Sequence, residues 1–440
     1  MDPDTLGGED AAWLHMESET SPMVVSGVLQ LAARLGIEQL RPVVERLAQT
    51  PRLRAIVAEP THAIGLPHWI SAPDVDLDYH LQHVQLDDGD EHSLRAFLGT
   101  AVATTLDPKR PLWRVFLVDR PGAGTTVLFR IHHAVADGFA LLGLMLSACD
   151  PDPAVDDQLG RVRPAVAVPT LRGAAAALRH LVSVPSDDKT HLKNPLAGAK
   201  NVAWTKPIPL DIFRHVALAT KASVNDVVVA VVSGALARQL RRRGEHTAAL
   251  RVHAMVPVNL RPDTRTTAPD NHIGLVVLDL PVTIDDPIAR VAAAEQRMRL
   301  LKASPEALVV HELLRVLGGG PRRLEDVVVS FFAQKTSLVL TNVPGPRIPL
   351  KLAGVPITRV IYWVPQAGRL GLGLSVISYA GSVTFGVLAD AAVLERPEAL
   401  ATDLEHEIEA LARAVASDER SEHLSPADAR AAWLAKMEPI

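Results

Sequence analysis

Apolar positions along the chain follow two periods, and the alternation between them divides the sequence into elements. Short β-branched and aliphatic runs predict strands at Met23–Leu29, near Trp69–Ile70, and at His80–Gln85, Arg114–Asp119 and Val127–Ile131. Helical spacing predicts helices over 36–50 and 91–105 between them. A second αβ pattern follows: helices at Pro209–Thr220, Ser223–Gln239, Pro287–Lys302 and Ser304–Leu317, with strands at Arg251–Pro257 and Ile273–Leu280. A β-rich block over Ser337–Leu340 and Thr358–Val364 precedes a last helix at Pro397–Val415. The longest uncharged run, Gly371 to Ala389, has the length of a membrane span. Its density of glycines and hydroxyls, with Ala380-Gly381 between two β-rich segments, predicts a hairpin instead.

Between the two αβ patterns the proline-dotted stretch after Asp150 loses periodicity, apart from a helix at Leu171–Val182. This places an N-terminal domain at 1–165, a linker at 166–205 and a C-terminal domain at 206–440. Loop is expected for most of Ser186–Thr205.

Composition narrows the function. With 45 basic against 50 acidic side chains the net charge is −5, which removes any global case for nucleic-acid binding. The one cysteine, Cys149, allows no internal disulfide and fits a reducing compartment. It lies in an apolar helix and is expected to be buried and not nucleophilic. Met1–Thr5 is acidic and lacks the features of a secretory signal, so a cytoplasmic location is expected.

The stretch Ile131-His132-His133-Ala134-Val135-Ala136-Asp137-Gly138 carries the candidate chemistry. It places an exposed base, a carboxylate and a glycine where a strand becomes a turn, ahead of an apolar helix over 139–146. Side chains alternate across a strand, so His132 and His133 are expected on opposite faces in different roles. A histidine with a pKa of about 6.5 accepts a proton near neutral pH without a standing charge. Asp137 could fix its tautomer or anchor the loop, and Gly138 permits a sharp turn. A non-haem iron or zinc site is the competing reading, but no further ligand stands at metal spacing.

Other positions bear on the same site. The turn at Pro121–Gly124 puts Trp113 opposite His132, give or take about two residues, which makes Pro111, Leu112 and Trp113 neighbours of the base. Ser223 and Asp226 form a capping box, while Asn225 at the positive end of that helix could donate to developing negative charge. Arg238, Arg241, Arg242 and Arg243 suit the helix's C-terminal dipole, with phosphate binding as the lesser reading. The helix ending at Leu317 is apolar enough to be core or to touch a lipid surface.

Together these residues resemble a known family. His132-His133 through Asp137-Gly138 looks like the HHxxxDG motif of the chloramphenicol acetyltransferase-like acyltransferase superfamily. Pro111-Leu112-Trp113, Asn225-Asp226, Thr341–Pro346 and the opening Trp13–Glu17 through Pro22-Met23 are similar to motifs of one branch, the bacterial wax ester synthase/diacylglycerol acyltransferases. The resemblance implies an α/β fold of two chloramphenicol acetyltransferase-like αβ sandwich domains with mixed sheets and an active-site tunnel between them. It makes His133 the general base, His132 and Asp137 supporting residues, and Gly138, Asn225 and Asp226 further support. Pro111, Leu112 and Trp113 become substrate-binding residues. The implied reaction moves a long-chain acyl group from acyl-CoA to diacylglycerol or a fatty alcohol, with no metal and no cofactor beyond the acyl-CoA co-substrate. Peripheral contact with the inner membrane or lipid droplets is expected, and nucleic acid is not a partner. A carrier-protein-dependent condensation domain and a non-catalytic lipid-binding relative are the alternatives.

Overall fold

The computed structural model describes residues 5–60, 65–135, 143–145, 147–150, 171–260, 273–302, 304–320, 322–366 and 368–417. In chain order the described helices are α1 (Gly8–His15), α2 (Ile37–Leu47), α3 (Leu77–His80), α4 (Glu91–Ala103), α5 (Leu171–Ser183) and α6 (Leu210–Ala219). They continue as α7 (Val224–Arg242), α8 (Pro287–Lys302), α9 (Glu306–Leu317), α10 (Arg322–Lys335) and α11 (Pro397–Ser417). The strands are β1 (Val24–Leu31), β2 (Ala55–Ala58), β3 (His68–Ser71), β4 (Leu81–Gln85), β5 (Trp113–Asp119), β6 (Thr126–His132), β7 (Lys200–Trp204) and β8 (Ile208–Pro209). After them come β9 (His253–Asn259), β10 (Ile273–Asp279), β11 (Leu338–Pro344), β12 (Lys351–Leu352), β13 (Val355–Trp363), β14 (Leu372–Tyr379) and β15 (Ser382–Asp390).

Two mixed sheets organise these elements. The first runs β12-β13-β1-β6-β5-β4 and the second β10-β9-β11-β14-β15-β7, with β8 paired to β15. The sheets do not divide the chain at one point. Within the span expected to be a linker, 166–205, lie α5 and β7, and β7 pairs with β15 in the second sheet. In return β12 and β13, from beyond residue 350, complete the first sheet: β13 pairs antiparallel with β1, Gly27 opposite Tyr362. One apolar cluster therefore continues from Val25, Phe129 and Ile131 of the first sheet into Met255, Leu275 and Val339 of the second. The far face of the second sheet packs against α6, α7, α8 and α11.

Local chemistry explains the best-formed elements. At the start of α7, Ser223 Oγ accepts the Asp226 N–H at 3.2 Å and Asp226 Oδ2 accepts the Ser223 N–H at 2.8 Å, so two donors at the helix start are satisfied. From Val227 to Ala237 every residue of α7 is buried, at about 1.5–3 kcal/mol per fully buried large aliphatic side chain. Gly234 lets its neighbours close in, since a Cβ there would fall 2.2 Å from Glu407 Oε2. Glu407 pairs at that spot with Arg290 at 2.5 Å and also with Arg238.

The uncharged run is a hairpin. β14 and β15 pair antiparallel around Ala380 (φ 45°) and Gly381 (φ 83°), the pair of left-handed residues a tight two-residue turn requires. No single helix among the described residues is long and apolar enough to cross a membrane. The bent pair α6 and α7 has the composition, but both helices contribute to the second core.

Candidate active site

The end of β6 is held by backbone bonds on both sides. The His132 N–H donates to the Leu112 carbonyl at 2.9 Å, the His133 N–H to the Met23 carbonyl at 2.7 Å, and the Val135 N–H closes the turn on His132 at 2.9 Å. His132 ends the strand and His133 opens the turn, and their surroundings differ as alternation predicts. His132 Nδ1 accepts the Ala134 N–H at 3.0 Å, which leaves the proton of the neutral ring on Nε2, 3.5 Å from Glu17 Oε2. His133 instead stacks on Trp13, with ring centroids 4.1 Å apart and 23° between planes. The expectation of an exposed base is corrected: His133 is only 5% exposed, covered by the indole. Asp137, Gly138 and most of the following apolar helix lie outside the described residues.

Glu17 connects the N-terminal segment to this turn. Its Oε2 accepts the Met23 N–H at 2.9 Å, and the Met23 carbonyl in turn receives the His133 N–H. One carboxylate thus orients the strand that holds one histidine and faces the ring of the other. Arg130 shares a strand face with His132, is buried, and donates to the Thr104 carbonyl. Burial first, and then Arg114 beside it, lower its guanidinium to about 10, so it stays charged at neutral pH. Among the described residues no carboxylate lies within ion-pair distance of it.

The Pro111-Leu112-Trp113 segment is buried. Trp113 pairs with Ile131, one residue from the register expected. Side chains at paired positions share a face, so Trp113 enters the core: its Nε1 donates to the Leu53 carbonyl at 2.8 Å and its ring stacks on His80 at 4.1 Å. Leu112 is buried too and acts through its carbonyl on His132. The segment braces the end of β6 through these bonds.

Asp226 is likewise taken up by its cap. Asn225 Oδ1 accepts from Asn342 Nδ2 at 3.2 Å, which joins two of the sequence motifs and leaves the Asn225 amide donors available. The arginines of α7 pair with acids: Arg238 with Glu407, Arg241 with Asp285 and Arg242 with Asp403. That arrangement gives the phosphate reading no support. Burial raises the Cys149 thiol to about 12, so at neutral pH it is protonated and inert. Among the described residues no three His, Cys, Asp or Glu side chains are grouped as ligands for a metal ion.

An apolar pocket adjoins Trp13. Trp13 and Met16 of α1, Met255 of β9, Leu275 of β10, Leu314 of α9 and Phe332 of α10 are among its lining residues. Sequence reasoning quoted the Trp13–Glu17 segment only for its likeness to a family, gave it no role, and missed α10 altogether.

Two family descriptions match the chain: the wax ester synthase/diacylglycerol acyltransferase catalytic domain over residues 6–169 and the WS/DGAT C-terminal domain over 270–412. A Mycobacterium tuberculosis protein named probable diacylglycerol O-acyltransferase tgs1 is 27% identical over 414 residues, spanning 87% of each chain. The wax ester synthase/diacylglycerol acyltransferase from Marinobacter aquaeolei has a TM-score of 0.71 at 21% identity, covering 94% of this chain and 100% of that one. The first condensation domain of the calcium-dependent antibiotic synthetase has a TM-score of 0.61 at 18% identity, with 97% of both chains covered. These two structural likenesses show a shared α/β fold with mixed sheets.

Proposed function

The chain belongs to the wax ester synthase/diacylglycerol acyltransferase family, and on that premise we propose that His133 is the general base of acyl transfer from a long-chain acyl-CoA to diacylglycerol. Membership makes the protein an acyltransferase that esterifies diacylglycerol or alcohols; the choice of diacylglycerol draws support from the name of its mycobacterial relative. The observation that carries the assignment is the strand-to-turn position of His133, with its backbone fixed by Met23 and its ring held against Trp13 beside an apolar pocket.

In this reading His133 takes the proton of the acceptor hydroxyl while that oxygen attacks the thioester carbonyl. A tetrahedral oxyanion forms, and the Asn225 amide, oriented by Asn342, is the side-chain donor suited to it. Collapse breaks the C–S bond, and the departing CoA thiolate recovers the proton from His133. The thioester supplies the driving force, so the reaction calls for no resident cofactor beyond acyl-CoA itself. General base catalysis of this kind contributes about 10²- to 10⁴-fold.

Lipid substrates and the single-cysteine composition support a cytoplasmic protein working at a membrane or lipid-droplet surface. Val316 on α9 and Val327 on α10 are each about two-thirds exposed, and Leu178 and Val182 on α5 stand out as well. Since α9 and α10 also line the pocket, these side chains suit a lipid surface from which a chain enters.

The test is CoA thiol release from palmitoyl-CoA by the purified protein, with dioleoylglycerol or hexadecanol offered in parallel and the ester product identified. Faster release with dioleoylglycerol is expected. A preference for hexadecanol overturns the choice of acceptor, and no acceptor-dependent release with either overturns the enzymatic reading.

A further inference from the structure

Trp13 belongs to two places at once. One face of its indole lies on the His133 imidazole, while the residue also lines the apolar pocket between α1, α9 and α10. We propose that this pocket receives the acyl chain of the donor, and that Trp13 is a positioning residue which couples filling of the pocket to the placement of His133. The proposal deepens the acyl-transfer reading and rests on it.

The lining decides which chain enters. It consists of hydrocarbon, thioether and indole surfaces, and the indole among them is the one stacked on His133, so an occupant that packs on Trp13 must be plain hydrocarbon there. An acyl thioester presents methylenes from the α-carbon outward. A diacylglycerol carries ester oxygens close to its hydroxyl, and those would lose their hydrogen bonds against such a wall. The donor chain therefore suits the pocket, and the acceptor approaches from elsewhere.

The support of Trp13 is rigid. α1 crosses α9 so closely that a Cβ on Gly8 would fall 1.9 Å from the Arg315 carbonyl oxygen, and one on Gly318 would fall 1.7 Å from the Gly8 carbonyl oxygen. Helix α1 cannot slide against α9 without losing that contact, so the freedom left at Trp13 is in its side chain. A chain lying along the pocket removes that freedom by packing against the indole. Held in place, the indole face also attracts the imidazolium that forms as His133 takes a proton. A long chain thus favours the transition state, and its effect reaches kcat as well as KM.

The experiment measures kcat and KM of the full chain for octanoyl- and palmitoyl-CoA with one acceptor, in wild type, Trp13→Phe, Trp13→Ala and Val328→Trp. Val328 lines the pocket from α10 and is half-buried, so a larger side chain there shortens the space. Each methylene kept out is worth roughly three- to fourfold in kcat/KM. Val328→Trp is expected to lower kcat/KM for palmitoyl-CoA about tenfold or more while sparing octanoyl-CoA. Trp13→Ala is expected to lose the palmitoyl advantage in kcat itself, by about tenfold, and Trp13→Phe to restore most of it. Equal losses for both donors in Trp13→Ala, or an unchanged chain-length profile in Val328→Trp, overturn the proposal. Wild type inactive with every acyl-CoA instead overturns the reading on which it rests.

Discussion

Two histidines beside carboxylates anchor the ends of central strands in this fold, and their surroundings differ in one respect. At the start of β9, His253 Nδ1 lies 2.5 Å from Asp187 Oδ1, and the same carboxylate accepts the His253 N–H at 3.0 Å and Ser337 Oγ at 2.5 Å. Nearby, Lys193 Nζ donates to the carbonyls of Ala333, Gln334 and Thr336, and Lys335 Nζ to those of Val182 and Val184. The joint satisfies the C-terminal carbonyls of α5 and α10 and ties both helices to β9. At the end of β6, by contrast, Glu17 has one backbone donor among the described residues and stands 3.5 Å from His132. A buried polar group whose bonds are all made stabilises one structure. One left with spare capacity is free to act on something else.

The largest effect that could break this comparison comes from exchanging the outcomes of two substitutions. His133→Ala is expected to lower kcat by about 10²- to 10⁴-fold with the cooperative unfolding transition retained. Asp187→Ala is expected to do the reverse, reducing stability by about 3–5 kcal/mol because a buried partner is left unmatched, with activity per folded molecule kept. Denaturant unfolding alongside CoA release measures both. An Asp187→Ala protein that is fully folded yet inactive would place chemistry at the wrong joint.

A smaller effect sharpens the role of Glu17. Glu17→Gln keeps an oxygen for the Met23 N–H but removes the charge facing His132, so a loss of about three- to tenfold in kcat is expected. Glu17→Ala also releases Met23, whose carbonyl holds His133, and should lose more. Equal activity in the two variants would show that the charge, and not the bond to Met23, matters.

Much of this was legible from the chain because it is local. The capped start of α7, the Ala380-Gly381 hairpin and the strand leading to His132 each carry their signal within a few residues. What escaped was decided by contacts distant in sequence. Helix α10 contains Val327-Val328-Val329-Ser330-Phe331-Phe332, a β-branched and aromatic run with the local look of a strand, and its packing in the core overrides that preference. β7 is five residues that become a strand through β15, and β13 leaves its own half to pair with β1. The residues that cover the site, Trp13 and Glu17, lie on an N-terminal segment with no local sign of where it docks. Trp113, by contrast, was placed within one residue of its register, because the turn at Pro121–Gly124 fixes that pairing locally.

Glu306 stands between the two cases and gives the smallest effect. It opens α9, the helix whose other residues line the pocket, and is 1% exposed. Its Oε1 accepts the Val277 N–H at 2.9 Å, while Oε2 has no hydrogen-bond donor among the described residues and lies 3.7 Å from His180 on α5. Burial raises its carboxyl above the ordinary value and outweighs the opposing Val277 N–H and His180. With the folded-state pKa raised, the folded form binds more protons than the unfolded one between the two values. The stability this confers is complete below the unfolded pKa of about 4.3 and is lost as pH rises through the folded pKa. Asp390 runs the other way: burial opposes its ionisation, but the N–H groups of Ala197, Ala392 and Gly198 and the Lys200 ammonium prevail, so its contribution is lost as pH falls. The difference between Glu306→Gln and wild type cancels Asp390 and every other shared group. The variant is expected to melt a few degrees higher at pH 8, with the gap closing towards pH 4. A gap that stays constant with pH would mean that burial does not raise the Glu306 carboxyl.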